Sequence, residues 1–239
     1  SKFLLPCTHG RGNHACNFAF AGQMNTTNID NAEATIRRGG IVAIVRGKYE
    51  QSKILAIADT LAAAGVTAME VTLNSANARE HIAALRRHVG DRMLIGAGTV
   101  RTPQQVDESI ATGAQFLVSP GFCPDSVVRS LKADVLHLPG VFTATEAQQA
   151  ASMGCRMLKL FPADTMGPAY LKALRAPFDD VNFVPTGGVN AANIGDWRRA
   201  GAVAVAAGST LISGPDQSIE DLAQRAAAMR RGWEEAGHG

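Results

Sequence analysis

The sequence predicts a single (β/α)₈ barrel, the TIM-barrel fold, with an additional N-terminal helix. From residue 31 onward, eight short runs rich in β-branched residues alternate with amphipathic segments. Several amphipathic segments begin with a cap residue or an N1 proline and end near a glycine, as between Thr102-Pro103 and Gly113. No Gly-rich nucleotide-binding fingerprint follows the first strand. Its absence disfavours the competing open doubly wound sheet.

The elements follow one another in a regular order. The predicted strands are IVAIVR (41–46), AMEVTL (68–73), MLIGAG (93–98), QFLVSP (115–120), VLHLP (135–139), RMLKLF (156–161), NFVPT (182–186) and AVAVAAG (202–208). The predicted helices between them cover 51–64, 77–88, 103–112, 124–132, 144–153, 168–175 and 191–199. A leading helix over 29–39 should close the bottom of the barrel, and a trailing helix should cover 218–231.

Composition narrows the class of protein. The chain has 239 residues, 46% of them hydrophobic and 18% charged, with a formal net charge of +2. That balance gives no charge-based reason to expect nucleic acid or a membrane as partner, and no apolar run reaches the ~18–20 residues of a membrane span. The four cysteines form no CxxC pair and no metal-site spacing, and Cys123 and Cys155 have the character of reduced thiols in a cytoplasmic protein. We expect one domain over 24–239, preceded by a disordered or expression-derived extension over 1–23.

Polar residues interrupt the strands near their C-terminal ends, where barrel enzymes place catalytic groups. They are Arg46, Glu70, Thr99, Lys159 and Thr186. Side chains alternate along a strand, so Lys159 shares a face with Met157 and Phe161, and Glu70 shares one with Thr72 and Asn74. Both charged side chains can therefore face the barrel axis. The alternative is a Lys–Glu ion pair that only holds the barrel together, although such pairs rarely stabilise more than apolar replacements do.

A buried lysine beside another cation indicates covalent chemistry. Its pKa falls, and the free amine can attack a carbonyl to form a Schiff base. Glu70 could then act as the general acid and base. Because an iminium accepts electrons, the favoured reaction is cleavage of a carbon–carbon bond beside a ketone.

Two glycine-containing motifs follow the last two predicted strands, PTGGVN (185–190) and AAGSTLI (206–212). Loops in these positions form the phosphate site of many barrels, because exposed N–H groups and a helix N-terminus attract anions. The candidate phosphate ligands are Gly187, Gly188, Gly208 and Ser209. In the alternative interpretation, these glycines only make tight turns.

Nine motifs together resemble those of the class I aldolases that act on 2-keto-3-deoxy-6-phosphogluconate and 4-hydroxy-2-oxoglutarate. In order, they are AIVRG, GVTAMEVTLNS, IGAGTV, GAQFLVSPGF, LPGVFTATEA, LKLFPAD, GPAYLKAL, VPTGGVN and AAGSTLI. The resemblance covers about residues 30–215. It implies a (β/α)₈ barrel, a homotrimer, no metal or organic cofactor, and cleavage of the phosphorylated keto-deoxy sugar acid to pyruvate and glyceraldehyde 3-phosphate.

The resemblance also implies a role for each matching residue. Lys159 would be the Schiff-base lysine and Glu70 the general acid and base. Thr99 and Pro120 would line the part of the site that binds the pyruvate half of the substrate, and Phe161 would pack beside the imine. The hydroxyl and phosphate groups of the substrate would be bound by Thr186, Gly187, Gly188 and Ser209. Some members carry an arginine for the substrate carboxylate where this chain has Asn74. We therefore assign binding of the substrate carboxylate to Arg46, since a guanidinium can donate two hydrogen bonds to a carboxylate.

The sequence leaves several functions open. LNS also occurs in relatives that act on the galactonate epimer, whereas SPGF and Thr186 favour the gluconate compound. Unphosphorylated 4-hydroxy-2-oxoglutarate is a further candidate substrate. The rivals are a phosphate-binding isomerase or synthase without an imine lysine, and a non-catalytic sugar-phosphate-binding barrel.

Overall fold

The computed structural model describes residues 27–237, and the extension predicted over 1–23 lies outside the described residues. The α-helices are α1 (Asn28–Gly39), α2 (Gln51–Ala63), α3 (Ala78–Val89), α4 (Pro103–Ala111), α5 (Pro124–Lys132), α6 (Ala144–Ser152), α7 (Gly167–Arg175), α8 (Ile194–Arg199) and α9 (Ile219–Glu235). The strands are β1 (Ile41–Val45), β2 (Ala68–Thr72), β3 (Leu94–Gly98), β4 (Phe116–Val118), β5 (Leu136–Leu138), β6 (Gly140–Val141), β7 (Met157–Leu160), β8 (Asn182–Pro185) and β9 (Val205–Ala207). Short 3₁₀ turns span Gly90–Arg92 and Ala163–Thr165. Every predicted segment therefore contains an element of the predicted type.

The strands form two parallel sheets rather than one continuous ladder. The larger sheet has the order β5-β4-β3-β2-β1-β9, and the smaller has the order β6-β7-β8. Hydrogen bonds join them at both junctions: Lys159 N–H donates to the Pro139 carbonyl (3.0 Å), and Thr186 makes a parallel bridge with Ala206. The predicted α/β class is confirmed, and its parallel strands form a curled sheet.

The predicted strand 135–139 corresponds to β5, and the structure adds a short strand, β6, directly after it that was not predicted. Pro139 lies between them and has no N–H to donate to a neighbouring strand. Its carbonyl still accepts from Lys159, so the chain keeps its direction while the ladder is interrupted. The break places Gly140 beside Lys159 as its register partner.

The two faces of the sheets pack against different partners. One face forms an inner apolar cluster with residues from β1, β2, β4, β5, β7, β8 and β9, and this cluster includes Ala32 and Ile36 of α1. The other face packs against the surrounding helices. Helix α1 begins at a capping box in which Thr27 Oγ1 accepts from Asp30 N–H (3.1 Å), and it covers the N-terminal end of the sheets. No helix between residues 27 and 237 has the length and apolarity that crossing a bilayer requires.

A buried histidine lies on the outward face of β5. His137 is 3% exposed, and its ring nitrogens lie 2.7 Å from Ser119 Oγ and 3.1 Å from Ser130 Oγ. Burial lowers the pKa of His137 from 6.5 to about 4, so the folded protein keeps the ring neutral where the unfolded chain would protonate it.

We expect His137 to make stability depend on pH. Between pH 6.5 and pH 4 the unfolded state binds the extra proton, so the free energy of unfolding falls as the pH falls through this window. The shift corresponds to about 3 kcal/mol. Urea unfolding at pH 7 and at pH 4 should show a loss smaller by about that amount in His137→Leu than in the wild type. Equal losses in the two proteins would contradict the prediction.

Candidate active site

Lys159 lies in the middle of β7 and points to the inner face of the sheets. Met157 on the same face belongs to the inner cluster, whereas Leu158 and Leu160 pack toward the helices, as strand alternation predicts. The side chain is 6% exposed, and its Nζ lies 4.9 Å from the centroid of the Phe161 ring. The aromatic face offers this ammonium group a cation–π contact.

Glu70 reaches the same inner face from β2 and is 1% exposed. Gly98 makes room for its carboxylate, because a Cβ at that position would lie 2.5 Å from Glu70 Oε1. Oε2 has no hydrogen-bond partner. Within residues 27–237, the salt bridges closer than 4.0 Å do not include one between Glu70 and Lys159. Glu70 and Lys159 therefore share the inner face without a direct salt bridge between them.

Burial moves both groups toward their neutral forms. Removal from water raises the pKa of Glu70, against the opposing charges of Lys159 and Arg46. Removal from water also lowers the pKa of Lys159; the Glu70 charge opposes this shift and Arg46 adds to it. A neutral amine is a nucleophile and a protonated carboxyl is a proton donor, so the pair is suited to addition to a carbonyl.

A cavity of about 260 Å³ opens beside the lysine. It is lined by Ile44, Arg46, Lys159, Phe161, Thr186, Gly187, Gly188, Val189, Ala206, Gly208, Ser209, Thr210, Ile212 and Ser213. Arg46 and Lys159 are the ionisable members of this set, and both are basic. The cavity therefore suits an anionic ligand that reaches the lysine.

The loop after β8 presents backbone donors to this cavity. Among the hydrogen bonds of the part of the chain that is described, the N–H groups of Gly188 and Val189 have no protein acceptor. The side-chain amides of Asn190 and Asn193 both donate to the Gly188 carbonyl, at 3.2 and 2.9 Å. Gly188 has a φ of +66°, which favours glycine, and a Cβ there would meet Asp164 at 2.5 Å. Protein donors thus occupy the Gly188 carbonyl, while the N–H groups of Gly188 and Val189 remain available to a ligand.

The loop after β9 contributes hydroxyl groups. Ser209 is exposed and lines the cavity, and its N–H has no protein acceptor within residues 27–237. Thr210 also lines the cavity, but its hydroxyl donates to the Val189 carbonyl and so joins the two loops. These groups complete a surface that can bind a phosphate without a further cation.

The structure brings together most of the predicted site residues. The cavity is lined by eight of them: Arg46, Lys159, Phe161, Thr186, Gly187, Gly188, Gly208 and Ser209. Glu70, Thr99 and Pro120 are not among the lining residues. Thr99 follows Gly98 with a φ of +59°, and Pro120 is exposed after β4. Asn74 is exposed in the turn after β2 and does not line the cavity either.

Sequence reasoning missed several lining residues: Ile44, Val189, Ala206, Thr210, Ile212 and Ser213. Alternation along β1 could have found Ile44, because it shares a face with Arg46. Val189, Ala206, Thr210 and Ile212 lie inside the two glycine-containing motifs. In the part of the chain described here, no three His, Cys, Asp or Glu side chains are placed to hold a metal ion, and Cys123 and Cys155 are free thiols.

Comparison with known proteins gives one consistent family. The model of a family described as KDPG and KHG aldolase matches residues 32–226. The 2-dehydro-3-deoxy-6-phosphogalactonate aldolase of Escherichia coli K12 is 38% identical over 197 residues, covering 82% of this chain and 95% of that protein. The 2-dehydro-3-deoxy-phosphogluconate aldolase of Pseudomonas aeruginosa is 41% identical over 179 residues, covering 73% and 78%.

A solved structure of an aldolase is also similar to this chain. The KDPG aldolase of Legionella pneumophila superposes with a TM-score of 0.73 at 29% identity, covering 85% of this chain and 96% of that one. It was crystallised with pyruvate captured at low pH as a covalent carbinolamine intermediate.

Proposed function

Since the chain belongs to the KDPG and KHG aldolase family and is therefore an aldolase, a carbon–carbon lyase, we propose that it cleaves 2-keto-3-deoxy-6-phosphogluconate through a Schiff base on Lys159. The products are pyruvate and glyceraldehyde 3-phosphate. The observation that carries the proposal is Lys159 itself, buried on the inner face, with a lowered pKa and in a cavity shared with Arg46. The carbinolamine in the Legionella relative supports this assignment.

The proposed reaction begins when the Lys159 amine attacks the C2 ketone. The protonated Glu70 carboxyl gives its proton to the carbinolamine hydroxyl, which leaves as water and yields an iminium and the Glu70 carboxylate. Glu70 takes the proton of the C4 hydroxyl, the C3–C4 bond breaks, and its electron pair enters the iminium to form an enamine while the triose phosphate leaves. The protonated Glu70 then returns the proton to C3. Water hydrolyses the pyruvate iminium to release pyruvate and the free amine, and the proton set free returns to the Glu70 carboxylate.

The cavity lining offers a candidate partner for each of the two anionic groups of this substrate. Arg46 is the assigned partner of the carboxylate, because it is the cation beside Lys159. The phosphate would bind the free N–H groups and hydroxyl of Gly188 and Ser209, and Thr186 would meet the C4 hydroxyl. Phe161 packs beside the imine, as its 4.9 Å approach to Lys159 Nζ supports. Thr99 and Pro120 would contribute to the pyruvate half from outside the cavity lining.

The galactonate epimer is the second candidate substrate, because a relative 38% identical to this chain is named for it. The test is a lactate-dehydrogenase-coupled pyruvate assay run on both epimers and on 4-hydroxy-2-oxoglutarate. We expect the highest kcat/KM with the gluconate compound. A higher value with the galactonate compound would reverse the substrate assignment, and binding without pyruvate release from any of the three would indicate a non-catalytic sugar-phosphate-binding protein.

Arg46 should be needed for binding more than for chemistry. Arg46→Gln removes a charged hydrogen-bond donor worth about 1.5–3 kcal/mol, so KM should rise about 10- to 100-fold with a smaller change in kcat. Lys48→Gln is the matched control, since Lys48 is an exposed cation of the same loop that does not line the cavity. Steady-state kinetics of the wild type, Arg46→Gln and Lys48→Gln test this expectation. A KM in Arg46→Gln equal to that of the control would exclude Arg46 as the carboxylate ligand.

The overall organisation is part of the same proposal. The hydrogen bonds at both sheet junctions support a closed (β/α)₈ barrel, with residues 24–239 as one aldolase domain. We also propose a cytoplasmic homotrimer, whose assembly light scattering would measure.

A further inference from the structure

His137 is a buried titratable group that the proposed reaction does not use. It lies in β5 between Leu136 and Leu138, which both belong to the inner cluster, so its ring is on the opposite face toward α5. A histidine in this position would be expected to satisfy both ring nitrogens, because an unpaired buried polar atom costs stability. Its two serine partners, Ser119 and Ser130, come from different elements.

Ser119 connects the histidine to two loops at the active-site end of the sheets. Its hydroxyl contacts His137 Nε2 and the Val100 carbonyl, and its N–H donates to the Leu138 carbonyl at 3.1 Å. Val100 N–H in turn donates to the Val118 carbonyl at 3.1 Å. Whichever ring nitrogen carries the proton, His137 therefore joins the segments that follow β3 and β4.

These segments carry the two residues assigned to the pyruvate half. Thr99 precedes Val100 and follows Gly98, the residue against which the Glu70 carboxylate packs. Pro120 follows Ser119, and its carbonyl oxygen lies 2.3 Å from the position that a Cβ on Gly140 would take. Gly140 is the register partner of Lys159. A displacement of Ser119 would consequently be transmitted by direct contact to the strands that hold both Glu70 and Lys159.

We propose that His137 is a positioning residue of the aldolase site, which holds Ser119 so that the ends of β3 and β4 keep Glu70 and Lys159 in register. Ser130 anchors the other side of the ring to α5. The inference depends on the proposed function, because it assigns His137 a task in imine formation. A misplacement of about 1 Å at a reacting group can cost about 100-fold in rate, so a link outside the cavity can affect catalysis.

Two variants of His137, each keeping the contact of one ring nitrogen, distinguish a positioning role from a general effect on stability. The amide of His137→Gln reaches the place of Nε2 and keeps the contact with Ser119, whereas the amide of His137→Asn reaches the place of Nδ1 and keeps the contact with Ser130. We expect the Gln variant to retain the rate of borohydride-trappable imine formation with pyruvate within about threefold. The Asn variant should lose about tenfold or more, with a Tm similar to that of the Gln variant.

A second pair tests the same link should either histidine variant fail to fold. Ser119→Ala should slow imine formation, and Ser130→Ala, which keeps the contact between His137 and Ser119, should slow it less. Equal imine rates in the Gln and Asn variants, or equal losses in the two alanine variants, would overturn the role of His137 while wild-type trapping still supports the aldolase. No trapping in the wild type would instead refute the Schiff-base mechanism, and the inference with it.

Discussion

Lys159→Met should abolish pyruvate release while leaving the protein folded. Methionine keeps the length and apolar stem of the side chain but removes the amine that forms the Schiff base. We expect kcat/KM to fall by at least about 10³-fold, because loss of a covalent nucleophile leaves only binding and positioning effects. The free energy of unfolding should be unchanged or higher, since the variant no longer buries an ionisable group.

The same variant gives a direct chemical test. Borohydride reduction with pyruvate should attach a three-carbon adduct to Lys159 in the wild type, identified by peptide mass spectrometry, and should attach none in Lys159→Met. Lys172→Met, which changes an exposed lysine of α7, is the matched control and should behave as the wild type. Wild-type protein that turns over substrate without modification at Lys159 would refute the mechanism.

Glu70→Gln should separate imine formation from carbon–carbon cleavage. Glutamine occupies the same volume beside Gly98 but neither takes nor gives a proton at neutral pH. We expect turnover to fall by about 10²- to 10⁴-fold, the range over which a positioned acid or base contributes. Borohydride trapping of pyruvate should remain measurable, because the Lys159 amine is still present.

The pH dependence of Glu70→Gln gives a second measurement. Burial raises the pKa of Glu70, so the wild-type kcat/KM should show an acidic limb at a pH above the ordinary carboxyl range, and this limb should be absent from the variant. Glu50→Gln serves as control, because Glu50 is exposed and its side chain makes no cap hydrogen bond to α2. Normal turnover in Glu70→Gln would show that another group moves the proton.

The orientation of Glu70 and Lys159 was partly predictable from local chain geometry. Alternation along β2 and β7 determines which side chains share a face with each of them, and the barrel fold then makes that face the inner one. The end of the strand at Pro139 was predictable because proline lacks an N–H, whereas the two-residue strand β6 that follows it was not predicted. The task of His137 was not visible, because its partners, Ser119 and Ser130, become neighbours only when β4, β5 and α5 pack together.

Resemblance and structure contributed different parts of the site. The motifs implied roles for Thr99 and Pro120, but the cavity beside Lys159 is lined by other residues. Ile44 and Ile212 form part of its wall, and an isoleucine in a sequence has no feature that separates a cavity wall from a core. Such positions depend on how distant segments meet, which a local pattern does not determine.

The unequal charge of the cavity has a consequence for product inhibition. Its basic lining residues are Arg46 and Lys159, and the loop after β8 adds N–H donors to the same lining. Under the proposed function, an intact substrate would engage both sets of groups at once with its carboxylate and phosphate, whereas each product would keep only one of these anionic groups. The substrate is therefore held through two anionic groups, whereas after cleavage each product is held through only one. If the chain acts as proposed, the arrangement that retains the sugar acid thus lets pyruvate and the triose phosphate dissociate.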